Sequence, residues 1–233
     1  MQKFNRIAII PAREGSKRIK NKNLINFFGK PIIFYTIKNA KKSKLFSKIH
    51  VSTNSDKIFE YLRKINLIPE FKRPNNLSGD KIGLMKVLKY VINKYEEKNV
   101  FFKEIWLLYA CSPLISQDDL IKASKKFNKS KKKFPMISIK EYETPIEWAL
   151  RKRGEKFGVL KPKSLKKRSQ DLKLNFHETA SFVIFKREHL KKESFKNYYG
   201  YKLKKYVIDI DTNEDLEIAK ALYAYQKKNL MKV

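Results

Sequence analysis

The segment Ile9-Ile10-Pro11-Ala12-Arg13-Glu14-Gly15-Ser16-Lys17-Arg18, followed by Asn21-Lys22-Asn23, places small residues and several cations where an apolar run ends. Such a turn suits a polyphosphate. Backbone N–H groups around Ala12 and Gly15, together with the Ser16 hydroxyl, donate to phosphate oxygens, while Arg13, Lys17 and Lys22 balance charge that backbone donors alone do not. The segment has neither a G-x-G-x-x-G pattern nor the paired glycines followed by Lys and Ser or Thr of the commonest phosphate loop. An ordinary basic turn is its competing reading. Near the other end of the sequence, Asp209 and Asp211 flank Ile210 after an apolar run. In a strand that spacing puts both carboxylates on one face. Paired hard oxygen donors suit Mg²⁺ or Mn²⁺, although acids also collect at strand ends for solubility. Thr212 and Asp215 read as the capping pair of a following helix, which makes Asp215 structural.

Short β-branched runs alternating with helical patterns are expected to position these groups, which points to an α/β fold on a mostly parallel sheet. Arg6 to Pro11 reads as a buried strand, and a helix with proline in its first turn starts at Pro31. Lys48 to Thr53 reads as a strand, and Ser55 to Ile65 as a helix with Ile58, Phe59, Leu62 and Ile65 on one face. Met85, Leu88, Val91, Ile92 and Tyr95 form another helical stripe, better explained as core than as a cofactor contact. Glu104 to Ala110 is a central strand, Ser116 to Asp119 a capping box, and Pro135 to Lys140 a further strand. Regular alternation stops between about 141 and 175. There Glu147 to Leu150 and Lys156 to Leu160 read as strands joined by a turn at Gly154, a protruding hairpin whose apolar residues suit a second subunit. Strands over Ala180 to Phe185 and Lys205 to Asp211, then a helix from Asn213 to Lys228, complete one domain over residues 1–233 with an inserted arm.

The 233 residues, 42% hydrophobic, are enough to bury a sizeable core. No apolar run is long enough to span a bilayer, and Met1 to Arg6 carries no signal-type apolar stretch, so a cytoplasmic location without membrane insertion is expected. Cys111 is the single cysteine, which excludes an intrachain disulfide and suits a packed small residue. The net charge of +31 raises nucleic acid as a partner, but the basic residues are scattered through helices and turns. A solvated lysine-rich surface accounts for that scatter, and no specific nucleic-acid partner is expected.

Two further segments join the loop and the paired acids of Asp209-Ile210-Asp211-Thr212: Arg73-Pro74 with Leu77-Ser78-Gly79-Asp80, and Arg168-Ser169-Gln170-Asp171-Leu172. Together they resemble the CMP-sialic acid synthetase family of cytidylyltransferases, which typically shows I-P-A-R-G-G-S-K then K-N, R-P-x-x-L-S, R-x-Q-D and D-x-D. The resemblance runs from about Arg6 to Leu222. It implies a Rossmann-like three-layer nucleotidyltransferase fold with a protruding dimerisation hairpin. The implied reaction transfers CMP from CTP to the anomeric hydroxyl of a nonulosonic sugar acid and releases pyrophosphate. Arg13, Lys17 and Lys22 would face the triphosphate, with Lys22 nearest the developing charge. Ala12, Gly15, Ser16, Asn23 and Arg73 would complete the nucleotide site, and Asp209 and Asp211 would hold Mg²⁺ or Mn²⁺, with Asp211 also a candidate proton acceptor. Arg168, Gln170, Asp171 and His177 would face the acceptor, and a homodimer is expected.

Arg168 to Asp171, then Phe176-His177-Glu178, and Tyr109-Ala110-Cys111-Ser112-Pro113 are most similar to the family branch that acts on pseudaminic acid. The N-acetylneuraminate and legionaminate enzymes are the alternatives, and Arg168-Ser169-Gln170-Asp171 argues against a 3-deoxy-manno-octulosonate enzyme. The sequence departs from the pattern at Glu14, at Asn54 where aspartate is common, and at Thr179-Ala180-Ser181 where that branch has A-G-Q. Glu14 and Asn54 keep a non-catalytic homologue in view.

Overall fold

The computed structural model describes residues 6–230. The expectation about Met1 to Asn5 therefore lies outside the described residues. From the N-terminal side the elements are β1 (Arg6–Pro11), the two-residue strands β2 (Asn26–Phe27) and β3 (Lys30–Pro31), α1 (Ile33–Ser43), β4 (Lys48–Ser52), α2 (Asp56–Lys64), α3 (Leu84–Glu96) and β5 (Glu104–Leu108). Then follow α4 (Gln117–Lys129), β6 (Met136–Glu141), β7 (Leu150–Arg153), β8 (Lys156–Val159), β9 (Phe176–Lys186), β10 (Tyr199–Lys202) and α5 (Asn213–Leu230).

Six strands form one sheet in the order β10-β6-β9-β5-β1-β4. β1 runs parallel to β4 and β5, and β10 parallel to β6, whereas β9 is antiparallel to both of its neighbours. The sheet is covered on both faces, so its strands read as continuous apolar runs, and alternation decides which residue faces which layer. Ala8, Ile10, Trp106, Leu108, Phe182 and Ile184 pack into the layer of α1, α2, α4 and α5. Ile7, Ile9, Ile105, Leu107, Val183 and Phe185 face the other way, onto Leu88, Val91, Ile92 and Tyr95 of α3. These are the three layers expected from the sequence.

Helix starts follow their local chemistry. Ser116 Oγ accepts the Asp119 N–H at 3.2 Å while Asp119 Oδ2 accepts the Ser116 N–H at 3.0 Å, closing a capping box on α4. Thr212 and Asp215 repeat the exchange at α5, and Asp215 also accepts the Asp211 N–H at 3.0 Å. Asp215 thus fixes the backbone of the acidic pair.

Three expectations need correction. Residues 205–211 form no strand; they run unpaired between β10 and α5. The apolar character of Val207, Ile208 and Ile210 comes instead from packing on the α1 layer, Ile210 completely buried. Pro31 is not in the first turn of α1 but in β3, paired with Asn26. In the arm, Ile146–Trp148 is a turn of 3₁₀ helix, so the hairpin strand starts only at Leu150 and returns at Lys156 through Gly154, whose φ of 62° suits glycine.

Candidate active site

A cleft of about 330 Å³ opens at the carboxyl ends of β1 and β5, the edge where open α/β sheets place their ligands. Its walls bring together Arg13, Ser16, Lys17, Lys22, Asn23, Asp209 and Asp211, seven of the residues selected from sequence. Ala12 lies just beneath, buried, with its N–H bonded to the Ser52 carbonyl at 2.9 Å. Gly15 makes the loop's reversal at φ 87°, a conformation that side chains rarely adopt. Ile19 then returns the chain to the core.

The loop and the acidic segment are joined directly. Lys22 Nζ donates to the Ile210 carbonyl at 2.7 Å and to Asp211 Oδ1 at 3.0 Å, and Arg18 Nη2 donates to Asp211 Oδ2 at 2.6 Å. Burial raises the Asp211 carboxyl's proton affinity, but the Lys22 hydrogen bond and the charges of Lys22 and Arg18 outweigh it and hold the pKa below the ordinary value. Asp209 differs. It has no hydrogen bond or ion pair among the described residues, and its pKa is raised, first by burial and then by the charge of Asp211. One anchored carboxylate beside one unpaired carboxylate is a donor set that fits a hard divalent cation. Among the described residues no cluster of three or more His, Cys, Asp or Glu surrounds them, so further ligands would be water or substrate oxygens.

Two participants were not selected from sequence. Asp80 pairs with Arg13 and, at 2.6 Å, with Lys17, so its carboxylate sits between two cations assigned to phosphate. Arg18 faces Asp211. Asp80 was visible within the Arg73 to Asp80 segment, but nothing local connects it to a loop 67 residues earlier.

Asn23 is more a brace than a free ligand. Its amide donates to the Arg13 carbonyl at 3.0 Å and its oxygen accepts from Cys111 Sγ at 3.4 Å. Burial drives the Cys111 thiol up to about 12; Lys22 opposes the shift and the two aspartates add to it. Cys111 is a packed residue with no thiolate chemistry. Arg73 is outside the cleft lining and only 4% exposed, yet its Nε and Nη2 have no partner among the described residues. Its pKa is lowered to about 10, by burial first and then by Arg13. A buried guanidinium with unused donors is costly unless something else completes it.

Glu14 does not line the cleft; its side chain is exposed and its N–H donates to Asn54 Oδ1 at 3.1 Å. The expected acceptor residues are also elsewhere. Arg168 is exposed on the arm and bonded to its own Asp171 at 2.9 Å, and Gln170 beside it is exposed. His177 contacts the ring of Tyr142, with centroids 4.9 Å apart. None of these residues lines the cleft. Tyr109 does, and it also borders a second cavity of about 350 Å³ lined by Leu84, Met85, Ile137, Val183, Phe195 and Tyr198. Its hydroxyl donates to Glu178 Oε1 at 2.8 Å, and burial, then Glu178, keep the phenol protonated.

A three-layer α/β fold with a cationic loop and paired acids at its carboxyl edge can hold a nucleoside triphosphate, and the family and relatives that it matches make it a CTP-dependent nucleotidyltransferase. The chain belongs to the cytidylyltransferase family, whose model matches residues 7–232. It is 35% identical over 223 residues to the pseudaminic acid cytidylyltransferase of Campylobacter jejuni, covering 93% of this chain and 95% of that one. It is 25% identical to the N-acylneuraminate cytidylyltransferase of Escherichia coli, over 97% of this chain and 54% of the relative. In fold it is similar to a CMP:2-keto-3-deoxy-manno-octonic acid synthetase solved with CTP, at TM-score 0.71 and 17% identity over 95% of this chain and 99% of the other.

Proposed function

We propose that this enzyme transfers the cytidylyl group of CTP to the anomeric hydroxyl of a nonulosonic sugar acid, pseudaminic acid, in the cytoplasm. The acceptor hydroxyl gives its proton to Asp211, directly or through water, as its oxygen bonds to the α-phosphorus and the bond to pyrophosphate breaks. The observation that carries this reading is the junction of the cationic loop with the acidic pair through Lys22, Arg18 and Asp211. It gathers charge for a polyphosphate beside groups able to hold a cation, in a site where catalysis rests on positioning and electrostatics. Arg13 and Lys17 bind the phosphates, Ser16 donates to them, and Lys22 lies where charge develops. The unpaired guanidinium nitrogens of Arg73 support a role toward the nucleotide. Asp209 and Asp211 would hold Mg²⁺ or Mn²⁺, which supplies charge neutralisation on phosphate oxygens. The apolar cavity beyond Tyr109 suits an acceptor with apolar substituents.

The arm supports a homodimer. Leu150, Phe157, Leu160, Leu165, Leu174 and Phe176 are exposed along it, a concentration of apolar surface that a second subunit would cover. Because Arg168 and Gln170 do not line their own cleft, their role toward the acceptor is assigned across that interface.

The test is incubation with CTP, Mg²⁺ and, separately, pseudaminic, legionaminic and N-acetylneuraminic acids, with mass detection of the CMP-sugar and an assay of pyrophosphate. Product with pseudaminic acid at ten times or more the rate of the others is expected. Product from another acid alone overturns the acceptor assignment, and no product from any acid leaves a non-catalytic homologue.

A further inference from the structure

Ala180 lies within β9 at φ 46°, in the left-handed region, and it lines the cleft. Such a conformation is unfavourable for an alanine in a strand and is kept only where the surroundings impose it. Here the surroundings are visible. β9 pairs Glu178 with Ile139 and Val183 with Ile137, so it spends more residues than β6 over the same stretch and bulges.

A bulge leaves backbone groups without ladder partners, and buried hydroxyls take their place. Thr179 Oγ1 donates to Ser138 Oγ at 2.8 Å, Ser138 Oγ accepts the Phe182 N–H at 3.1 Å, and Ser181 Oγ donates to the Thr179 carbonyl at 3.1 Å. All three hydroxyl residues are 5% exposed or less. Ser112 Oγ donates to the Ala180 carbonyl at 2.9 Å, fastening the bulge to the exit of β5. The Tyr109 N–H donates to the Ser181 carbonyl at 3.1 Å, fastening it a second time.

Ala180 is therefore a fixed part of the wall that Tyr109, Cys111 and Asp209 also form. With its carbonyl turned to Ser112, the methyl remains among the groups it can offer a ligand. We infer that Ala180 is a specificity-determining residue for the acceptor, its methyl limiting how large a substituent the cleft admits beside Tyr109. The inference rests on the proposed transfer to a sugar acid and adds a residue to it. The hydroxyls of Ser138, Thr179 and Ser181 act through Ala180 as positioning groups.

Two substitutions keep the backbone conformation: Ala180→Gly removes the methyl and adopts φ above zero freely, and Ala180→Asn adds bulk while tolerating that region. Each variant is compared with wild type on a pair of acceptors that differ by one methylene in the acyl group, with KM for CTP measured alongside. Ala180→Gly is expected to shift the ratio of kcat/KM toward the larger acceptor by about fourfold, the effect of one methylene. Ala180→Asn is expected to raise the acceptor KM by about tenfold or more, with KM for CTP within twofold of wild type in both. An altered melting temperature with the acceptor ratio and acceptor KM within twofold in both variants would make Ala180 merely structural and overturn the inference. If wild type itself turns over no acceptor, the proposed function fails and this inference fails with it, an outcome the wild-type control separates from the first.

Discussion

The N–H of Glu14 donates to Oδ1 of Asn54 across 3.1 Å, so two positions at which the sequence departs from its family pattern touch each other. An aspartate at 54 would accept the same bond but would set a second anion beside Glu14 and the phosphate loop. Asparagine keeps the acceptor without that charge. Asn54→Asp is expected to raise KM for CTP about fivefold, the scale of one partly exposed charge, and adding Glu14→Gly to restore it. Steady-state kinetics on the single and double variants check this; independent, additive effects would refute the coupling.

Asp80 occupies Arg13 and Lys17, the two cations proposed to bind the triphosphate. Hydrogen bonds from Lys17 and Arg13 hold its carboxyl below the ordinary range, so it remains an anionic competitor at neutral pH. Asp80→Asn is expected to tighten CTP binding about fivefold by calorimetry and to steepen its salt dependence. Weaker binding would instead show that Asp80 positions the two cations.

Asp211→Asn preserves shape while removing the charge that holds Lys22 and Arg18. Pyrophosphate release should fall about a hundredfold or more with the circular dichroism spectrum unchanged. Near-wild-type turnover would remove Asp211 from the mechanism.

Subunit complementation separates the possible sites of action of the arm. Arg168→Ala and Asp211→Asn are each expected to be inactive, and their mixture after subunit exchange to recover roughly a quarter of wild-type activity. Recovery of none, or a monomer by light scattering, contradicts an arm acting across a dimer.

His50 supplies a pH dependence away from the cleft. It is buried against Phe71, its Nδ1 lies 3.1 Å from the Tyr95 hydroxyl, and its Nε2 has no partner among the described residues. Burial first, then Lys48, lower its pKa from 6.5 to about 3, with Glu70 opposing. Below pH 6.5 the unfolded chain binds a proton that the folded chain refuses, so stability is lost as pH falls from about 6.5 toward about 3. Urea titrations should show this histidine contributing a slope of up to about 1.4 kcal/mol per pH unit, absent in His50→Asn. An equal slope in the variant would assign the loss to other groups.

Much of this architecture was legible because its signals are local. The β-branched run from Ile7 to Ile10 becomes β1, and Ser116 with Asp119 caps α4 as their spacing implies. The failures share a cause. β10 is hard to read because it is short and Gly200 weakens the strand signal of Tyr199 and Tyr201; a Cβ at Gly200 would meet the Ile139 side chain of β6. Residues 205–211 carry a strand's composition without a strand's partner, since an extended segment packed on helices selects the same apolar residues. Within the site, the loop cations and the paired acids stood out by type, whereas Arg18 and Asp80 owe their roles to contacts across the fold. Arg168, Gln170 and His177 stood out by motif but do not line the cleft.

The strand order also sets a schedule for synthesis. β9 lies between β5 and β6, and apart from it the sheet falls into two pieces, β4-β1-β5 and β10-β6. As the chain leaves the ribosome, β1, β4 and β5 can pair as soon as they emerge, but β6 has no neighbour in the sheet until residue 186 follows it. For that interval the nascent protein carries an open apolar edge at β5. A translational pause between β6 and β9 would prolong that exposure, while one after β9 would not.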